Sequence, residues 1–169
     1  MKVRYASLAL SLLVSLSAFA ADPALKNLDY FAHTWQCKGS QSFTGSPINF
    51  TETAAAAWIL GGNWLEVSVT QMKTKANPQP LHGRAHLGYD PESKRYVLLW
   101  ADNMGGYEVA ESGGWDNNRI VWEGTAHMGT SSAKGRDVFT KAGPKKMTHT
   151  YELEQNGKWT EAMQETCTR

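Results

Sequence analysis

The sequence predicts an all-β protein: an up-and-down antiparallel β-barrel of about ten strands with a short N-terminal helix. Three observations predict it. Short segments rich in Trp, Val, Thr, Tyr and Phe recur along the chain, with turn-forming residues between them. Segments with helical periodicity are scarce after Phe31. The two cysteines, Cys37 and Cys167, lie at opposite ends of the strand-rich region.

Residues 1–20 have the features of a secretory signal peptide. Lys2 and Arg4 precede an apolar stretch that ends at an Ala-Phe-Ala cleavage site. Because this stretch is shorter than the ~20 residues of a membrane-spanning helix, we expect residues 21–169 to form one soluble domain that is periplasmic or secreted. Cleavage takes the formal net charge from +1 to −1, so we expect neither nucleic acid nor an anionic membrane as a partner.

The first element of the predicted domain is a short helix over residues 22–31. Asp22 is a suitable N-cap, and Pro23 occupies the first helical position.

Ten strands are predicted to follow as a meander. Turn-forming sequences such as Gly61-Gly62-Asn63, Asp90-Pro91-Glu92-Ser93 and Asn156-Gly157 separate them. The predicted strands cover residues 34–43, 50–60, 63–72, 81–89, 94–101, 106–112, 118–127, 134–141, 146–155 and 158–167.

A meander of this kind forms either a closed barrel or a sandwich. In an oxidising compartment Cys37 and Cys167 are expected to form a disulfide. This bond would bring the first and last strands together, which a closed barrel requires and which removes exposed edge strands. The barrel is therefore preferred.

Alternation along the strands predicts which side chains point inward. In the ninth strand the inward set is Met147, His149, Tyr151 and Leu153. The tenth strand places Trp159, Glu161, Met163, Glu165 and Cys167 on one face, and the fifth places Tyr96, Leu98, Trp100 and Asp102 together. Such faces describe either a ligand cavity or a filled core with a few hydrogen-bonded polar atoms.

Large aromatic residues are the main candidates for ligand contact, because the chain has seven tryptophans. Their rings either fill the barrel or form the walls of a pocket. Arg84 joins the candidates only if its face points inward, where it could bind a carboxylate; alternation favours the reading in which His82, Arg84 and His86 face water. The candidate ligand-binding residues are Trp58, Trp64, Arg84, Tyr96, Trp100, Trp122, His149 and Tyr151.

Catalytic and metal-binding patterns are not found. His82 and His86 would lie about 13 Å apart on a strand and cannot share a metal ion. The chain has no Gly-x-Ser-x-Gly sequence, and neither cysteine belongs to a CxxC motif. The sequence therefore predicts a protein that is not an enzyme, with no catalytic residues and no metal site.

Several phrases resemble a known family: Gly61 to Glu66, His82 to Asp90, Tyr96 to Asn103 and the end of the chain from Asn156. They are similar to a family of small bacterial proteins that is catalogued as a domain of unknown function and placed near the calycins, the barrel group of lipocalins and fatty-acid-binding proteins. The resemblance implies a barrel with an internal ligand and supplies no catalytic residues.

A neighbouring calycin-like group, the nitrobindins, holds haem through a histidine late in the chain, and His149 is the matching candidate here. The Gly-x-Trp-x-Gly-x-Gly opening of that group is replaced by Thr34-Trp35-Gln36-Cys37-Lys38-Gly39-Ser40. Haem is therefore the least favoured of the expected ligands, and we expect no other cofactor.

Together these observations predict an exported barrel that holds an apolar or amphipathic small molecule in its interior. The alternative is a protein–protein interaction or envelope accessory module with a filled barrel and a working outer surface.

Overall fold

The computed structural model describes residues 21–43 and 45–169. The predicted signal peptide, residues 1–20, lies outside the described residues. Among the described helices, none has the length and hydrophobicity needed to cross a membrane.

All ten predicted strands are present, with ends within three residues of the prediction. They are β1 (Thr34–Gln41), β2 (Ile48–Ile59), β3 (Trp64–Gln71), β4 (His82–Asp90), β5 (Arg95–Asp102), β6 (Gly106–Ser112), β7 (Arg119–Met128), β8 (Ser131–Gly143), β9 (Lys146–Gln155) and β10 (Lys158–Thr168). Each strand pairs with its neighbours in sequence, and β1 also pairs with β10. The sheet is therefore a closed antiparallel barrel, as predicted, and not a sandwich.

The seam between β1 and β10 carries the predicted disulfide. Cys37 lies directly opposite Cys167 in this strand pair, and a disulfide joins the two residues across 130 positions of sequence. Both cysteines are buried. The covalent bond thus lies where the first and last strands of the meander meet.

A 3₁₀ helix closes one end of the barrel. It covers Pro23–Leu28, which is shorter than the predicted 22–31, and its cap is Asp22, whose Oδ1 accepts a hydrogen bond from the backbone N–H of Ala24 at 2.8 Å. Leu25 and Leu28 are buried against the barrel core. A second 3₁₀ turn, Leu60–Gly62, connects β2 to β3.

The predicted inward face of β10 is partly wrong. The pairing of β10 with β9 shifts between Glu161 and Met163, which marks a β-bulge. Because the extra residue exchanges the two faces of the strand, Met163, Glu165 and Cys167 share the inner face while Trp159 and Glu161 lie outside. There the ring of Trp159 lies 4.4 Å from the guanidinium of Arg136.

Candidate functional site

The barrel interior contains a cavity of about 400 Å³. Its inner walls are mainly apolar, and the deep part is formed by Phe31, Trp35, Leu87, Leu98, Trp122 and Met147. Its mouth lies at the opposite end from the 3₁₀ helix, where Met104, Met128 and Gly129 from the β5–β6 and β7–β8 connections contribute to the lining. This volume falls in the range of small-molecule binding sites.

Aromatic packing makes the floor of the cavity solid. Phe31 stacks on Trp115 with ring centroids 5.4 Å apart and meets Phe139 edge-on at 5.1 Å. The ammonium of Lys141 lies 3.7 Å from the centre of the Trp115 ring. The 3₁₀ helix is held in place from below by the Trp115 indole N–H, which donates to the carbonyl of Asn27 at 2.7 Å.

One wall of the cavity is a tryptophan that lies flat against the sheet. Trp100 projects from β5 over Gly83 of β4, and a Cβ at position 83 would lie 2.1 Å from a carbon of the indole ring. The indole N–H donates to Asp102 Oδ2 at 3.1 Å. Glycine at position 83 therefore permits an aromatic wall that a side chain would push into the cavity.

His149 forms the centre of a buried polar group. Its Nδ1 lies 3.0 Å from Glu165 Oε1 and its Nε2 lies 2.8 Å from Asp137 Oδ1, while its ring stacks on Phe139 at 3.9 Å. Burial alone would lower the pKa of His149, but the hydrogen bonds and negative charges of the two carboxylates outweigh burial and raise the pKa to about 10. At neutral pH the ring is therefore a protonated cation between two anions.

A second polar group continues from this histidine towards β3. Glu52 accepts a hydrogen bond from Gln71 Nε2 at 3.2 Å, and the Gln71 amide also donates to Gln41 at 2.9 Å and accepts from Asn77 at 3.0 Å. Burial, with the neighbouring charge of Glu165, raises the pKa of Glu52 to about 8. Glu52 is thus protonated at neutral pH.

A third polar group lies closer to the mouth. The Tyr151 hydroxyl donates to Glu108 Oε2 at 2.9 Å, and Gly135 leaves room for this pair, because a Cβ there would lie 2.5 Å from the Tyr151 oxygen. Burial and then the charge of Asp137 raise the pKa of Glu108 to about 7. Burial and the nearby carboxylates, Glu108 first among them, also raise the pKa of Tyr151.

Four of the eight candidate ligand-binding residues line the cavity: Trp100, Trp122, His149 and Tyr151. Tyr96 points inward but lies below the cavity floor, where its hydroxyl donates to the carbonyl of Ala24 at 3.0 Å. Trp58 packs at the closed end and donates to Asp29 at 3.1 Å.

The remaining two candidates lie outside the barrel. Trp64 neighbours the inward-facing Leu65 and covers Gly88 on the outer face. Arg84 projects from the outer face of β4 and pairs with Glu66 at 2.6 Å, so the water-facing interpretation of this strand is the one that the structure adopts. His86 contacts the same carboxylate at 3.2 Å.

Sequence reasoning missed the acidic residues of the interior. Glu52, Glu108 and Asp137 line the cavity, yet acidic side chains ordinarily indicate an outward face. In β6 the usual pattern is inverted, since Tyr107 and Val109 are exposed while Glu108 is buried. The strand register shows that Glu108 faces inward, because it lies opposite Trp100 and Ala126, which are both on inward faces.

Haem does not fit the residues present. Both ring nitrogens of His149 are within hydrogen-bond distance of buried carboxylates, so neither offers a free lone pair to iron. In the described part of the chain, three residues of kinds that can bind metal ions lie close together: Cys37, Cys167 and Glu165. The two cysteine sulfur atoms are bonded to each other, so they are not thiolate ligands.

Comparison with known proteins assigns the family. Residues 23–169 match the model of the family described as "Protein of unknown function (DUF1579)", and the chain belongs to this family. The resemblance to a family of unknown function is confirmed at that level, and its placement near the calycins stays a prediction.

The fold recurs in a solved structure, and no curated protein matches the chain. The crystal structure of Rv2717c from M. tuberculosis aligns with a TM-score of 0.68 at 15% identity, covering 88% of this chain and 98% of that one. At this level of identity the likeness shows a shared fold.

Proposed function

We propose that this protein is a binding protein that holds one apolar or amphipathic small molecule inside its barrel. The observation that carries the proposal is the cavity of about 400 Å³, which has aromatic and aliphatic walls, a closed floor and an open mouth. A filled barrel, by contrast, would have favoured the interaction-module alternative.

Apolar side chains in the cavity walls are the expected source of ligand affinity. Trp100 and Phe139 are half-buried side chains that line the cavity, and each square ångström of apolar surface removed from water contributes about 25 cal/mol. The site is preformed, because every strand of the barrel is paired on both sides and the seam is disulfide-linked. A preformed site loses little conformational freedom on binding.

The rim offers a path for an apolar ligand to enter. Phe43, Met104, Tyr107 and Met128 line the cavity and are all exposed to solvent. Two of them are methionines, whose unbranched side chains adapt to ligands of different shape. We propose that these residues contact the ligand on its way to the interior.

We propose that binding takes place outside the cytoplasm and without catalysis. The disulfide supports the first part, since such bonds persist in oxidising compartments. The second part is supported by the state of the central histidine, which is held by carboxylates on both ring nitrogens and is not free to act as a general base.

Titration with the neutral fluorescent dye N-phenyl-1-naphthylamine tests the binding proposal. We expect saturable binding with one site per chain and quenching of tryptophan emission. In the variant Ala54→Phe the added ring projects into the cavity, because Ala54 lines it, and binding should weaken at least tenfold. The matched control is Ala55→Phe, one residue along β2 on the exposed face, which should bind as the unaltered protein does.

Two results would contradict the proposal. One is the absence of saturable dye binding by the folded protein. The other is equal binding by the Ala54→Phe and Ala55→Phe variants, which would place the dye on the outer surface.

One observation favours the partner-protein alternative. Leu99 and Val109 lie opposite each other on neighbouring strands and are both exposed, next to exposed Tyr107. If this row of side chains binds a partner protein, the unaltered protein should co-purify with that partner from its native source. Val109→Asp should then abolish the co-purification while leaving dye binding unchanged.

A further inference from the structure

Two carboxylate oxygens in the cavity wall lack hydrogen-bond partners. Among the described residues, the buried side-chain polar atoms without a partner are Glu108 Oε1, Glu165 Oε2 and Trp122 Nε1. Glu108 is 4% exposed and Glu165 is 8% exposed, and both line the cavity. A buried polar atom without a partner is costly, so these oxygens indicate where a donor from a ligand would be favoured.

Glu108 is the stronger candidate of the two. Glu165 already accepts from His149 and lies beside the protonated carboxyl of Glu52, which is a donor. Glu108 has one donor, the Tyr151 hydroxyl, and that donor is on the other oxygen, Oε2. Glu108 also lies two residues from the start of β6, near the mouth, so a group bound there would leave the deep apolar part of the cavity for the rest of a molecule.

The residues that line the cavity indicate whether the ligand group bound at Glu108 is a cation or an anion. Five acidic residues line the cavity, Glu52, Asp102, Glu108, Asp137 and Glu165, and among the described residues that form the lining there is neither lysine nor arginine. The protonated His149 is fully used by Asp137 and Glu165. A ligand carboxylate would therefore meet acidic groups with neither lysine nor arginine to bind it, whereas a ligand cation would meet carboxylate oxygens that accept hydrogen bonds.

Aromatic rings near Glu108 also favour a cationic ligand group. Trp100 lies opposite Glu108 in the β5–β6 pair, and Tyr151, whose hydroxyl donates to Glu108, lines the cavity beside it. The faces of Trp and Tyr rings attract cations. Carboxylate and ring faces together are the groups that recognise an alkylammonium ion.

We propose that the ligand is an amphipathic amine, with its ammonium bound at Glu108 Oε1 near the mouth and its apolar part extending into the barrel along Trp100 and Phe139. This inference rests on the proposed function, and it narrows the ligand class to cations. The sequence predicts a ligand carboxylate only if Arg84 faces inward. Because Arg84 lies outside the barrel, the proposed head group is an amine instead.

Three probes of equal chain length test the inference: decylamine, decanol and decanoate, titrated by calorimetry below the concentrations at which they form micelles. At pH 7.5 we expect decylamine to bind at least tenfold more tightly than decanol, and decanoate to bind most weakly. In Glu108→Gln the preference for the amine over the alcohol should fall about tenfold, with decanol binding unchanged. The control Glu123→Gln removes an exposed acid from the outer face of β7 and should keep the full preference.

The results separate this inference from the proposed function. If decanol or decanoate binds as tightly as decylamine, or if Glu108→Gln keeps the preference, the amine inference is wrong and the binding protein remains. If N-phenyl-1-naphthylamine binds but decylamine does not, the amine inference again fails alone. If none of the four probes binds, both fail. The ligand series on the unaltered protein decides the matter even if Glu108→Gln does not fold.

Discussion

At the scale of single residues, the interior of this barrel is organised by one histidine. The position of His149 on an inward face followed from alternation along β9, and the structure confirms it. Its two carboxylate partners did not follow, because Asp137 and Glu165 come from β8 and β10 and only the register brings them to the ring. Sequence alternation gives the face of a side chain, whereas contacts across strands depend on pairing.

The proposed binding of an amine at Glu108 predicts that ligand affinity depends on pH. The pKa of Glu108 is raised to about 7, with Asp137 from β8 and Tyr151 from β9 as its ionisable neighbours, while a primary amine stays protonated to about pH 10. Raising the pH from 6 to 8 converts Glu108 from mostly neutral to mostly charged, so the affinity for decylamine should rise up to about tenfold.

Calorimetry at pH 6, 7 and 8 measures this dependence. Decanol serves as the control ligand and should show little change. An affinity for decylamine that stays constant over the range, or that falls, would show that the charge on Glu108 does not bind the amine.

At the scale of elements, the 3₁₀ helix is a floor for the barrel. Leu28 is 0% exposed, and it packs among the rings that close this end. Leu28→Ala should therefore lower the free energy of unfolding by about 2–5 kcal/mol. Lys26→Ala is the control, because Lys26 is exposed on the same helix, and it should change stability by less than about 0.5 kcal/mol. Denaturant unfolding measures both, and equal midpoints would mean that the helix is not part of the cooperative core.

The elements also mark where sequence reasoning is reliable. The ten strands could be predicted because Gly, Pro, Asn and Asp at the turns punctuate them, and the helix start because Asp22 and Pro23 are suited to it. The bulge in β10 had no such signal, since neither Gly nor Pro stands between Glu161 and Met163. The error in the faces of Trp159 and Glu161 followed from that single extra residue.

At the scale of the whole molecule, the disulfide closes a loop of 130 residues. Cross-linking a loop of this size stabilises the fold by about 5 kcal/mol in the chain-entropy model. The double variant Cys37→Ala/Cys167→Ala should unfold at a lower denaturant concentration, with a loss of about 2–5 kcal/mol. A variant as stable as the oxidised protein would show that strand pairing alone closes the barrel.

The buried ionisable groups predict that the fold is more stable in mild acid than in base. Glu52 and Glu108 have raised pKa values, so the folded state holds their protons more tightly and loses stability as the pH rises from 4.5 to about 8. His149 acts in the same direction, because its stabilising charge is complete below pH 6.5 and is lost through about pH 10.

Unfolding measured at pH 5.5, 7 and 9 checks this trend. Since each pKa unit corresponds to about 1.4 kcal/mol, the free energy of unfolding should fall by a few kcal/mol over the range. Glu52→Gln/Glu108→Gln should remove the decline below pH 6.5 and reduce it up to pH 8, where the loss from His149 remains, whereas the surface variant Glu123→Gln should leave the decline unchanged. Stability that rises between pH 5.5 and 9 would mean that these carboxyls are not buried.

A crystal structure of the protein grown with decylamine tests most directly whether the barrel holds a ligand. We predict that the alkyl chain lies inside the barrel beside Trp100 and Phe139, with its nitrogen within about 3.2 Å of Glu108 Oε1. A barrel interior closed by its own side chains, with the amine absent or bound to the outer face, would contradict the proposal that this protein holds a ligand in its barrel.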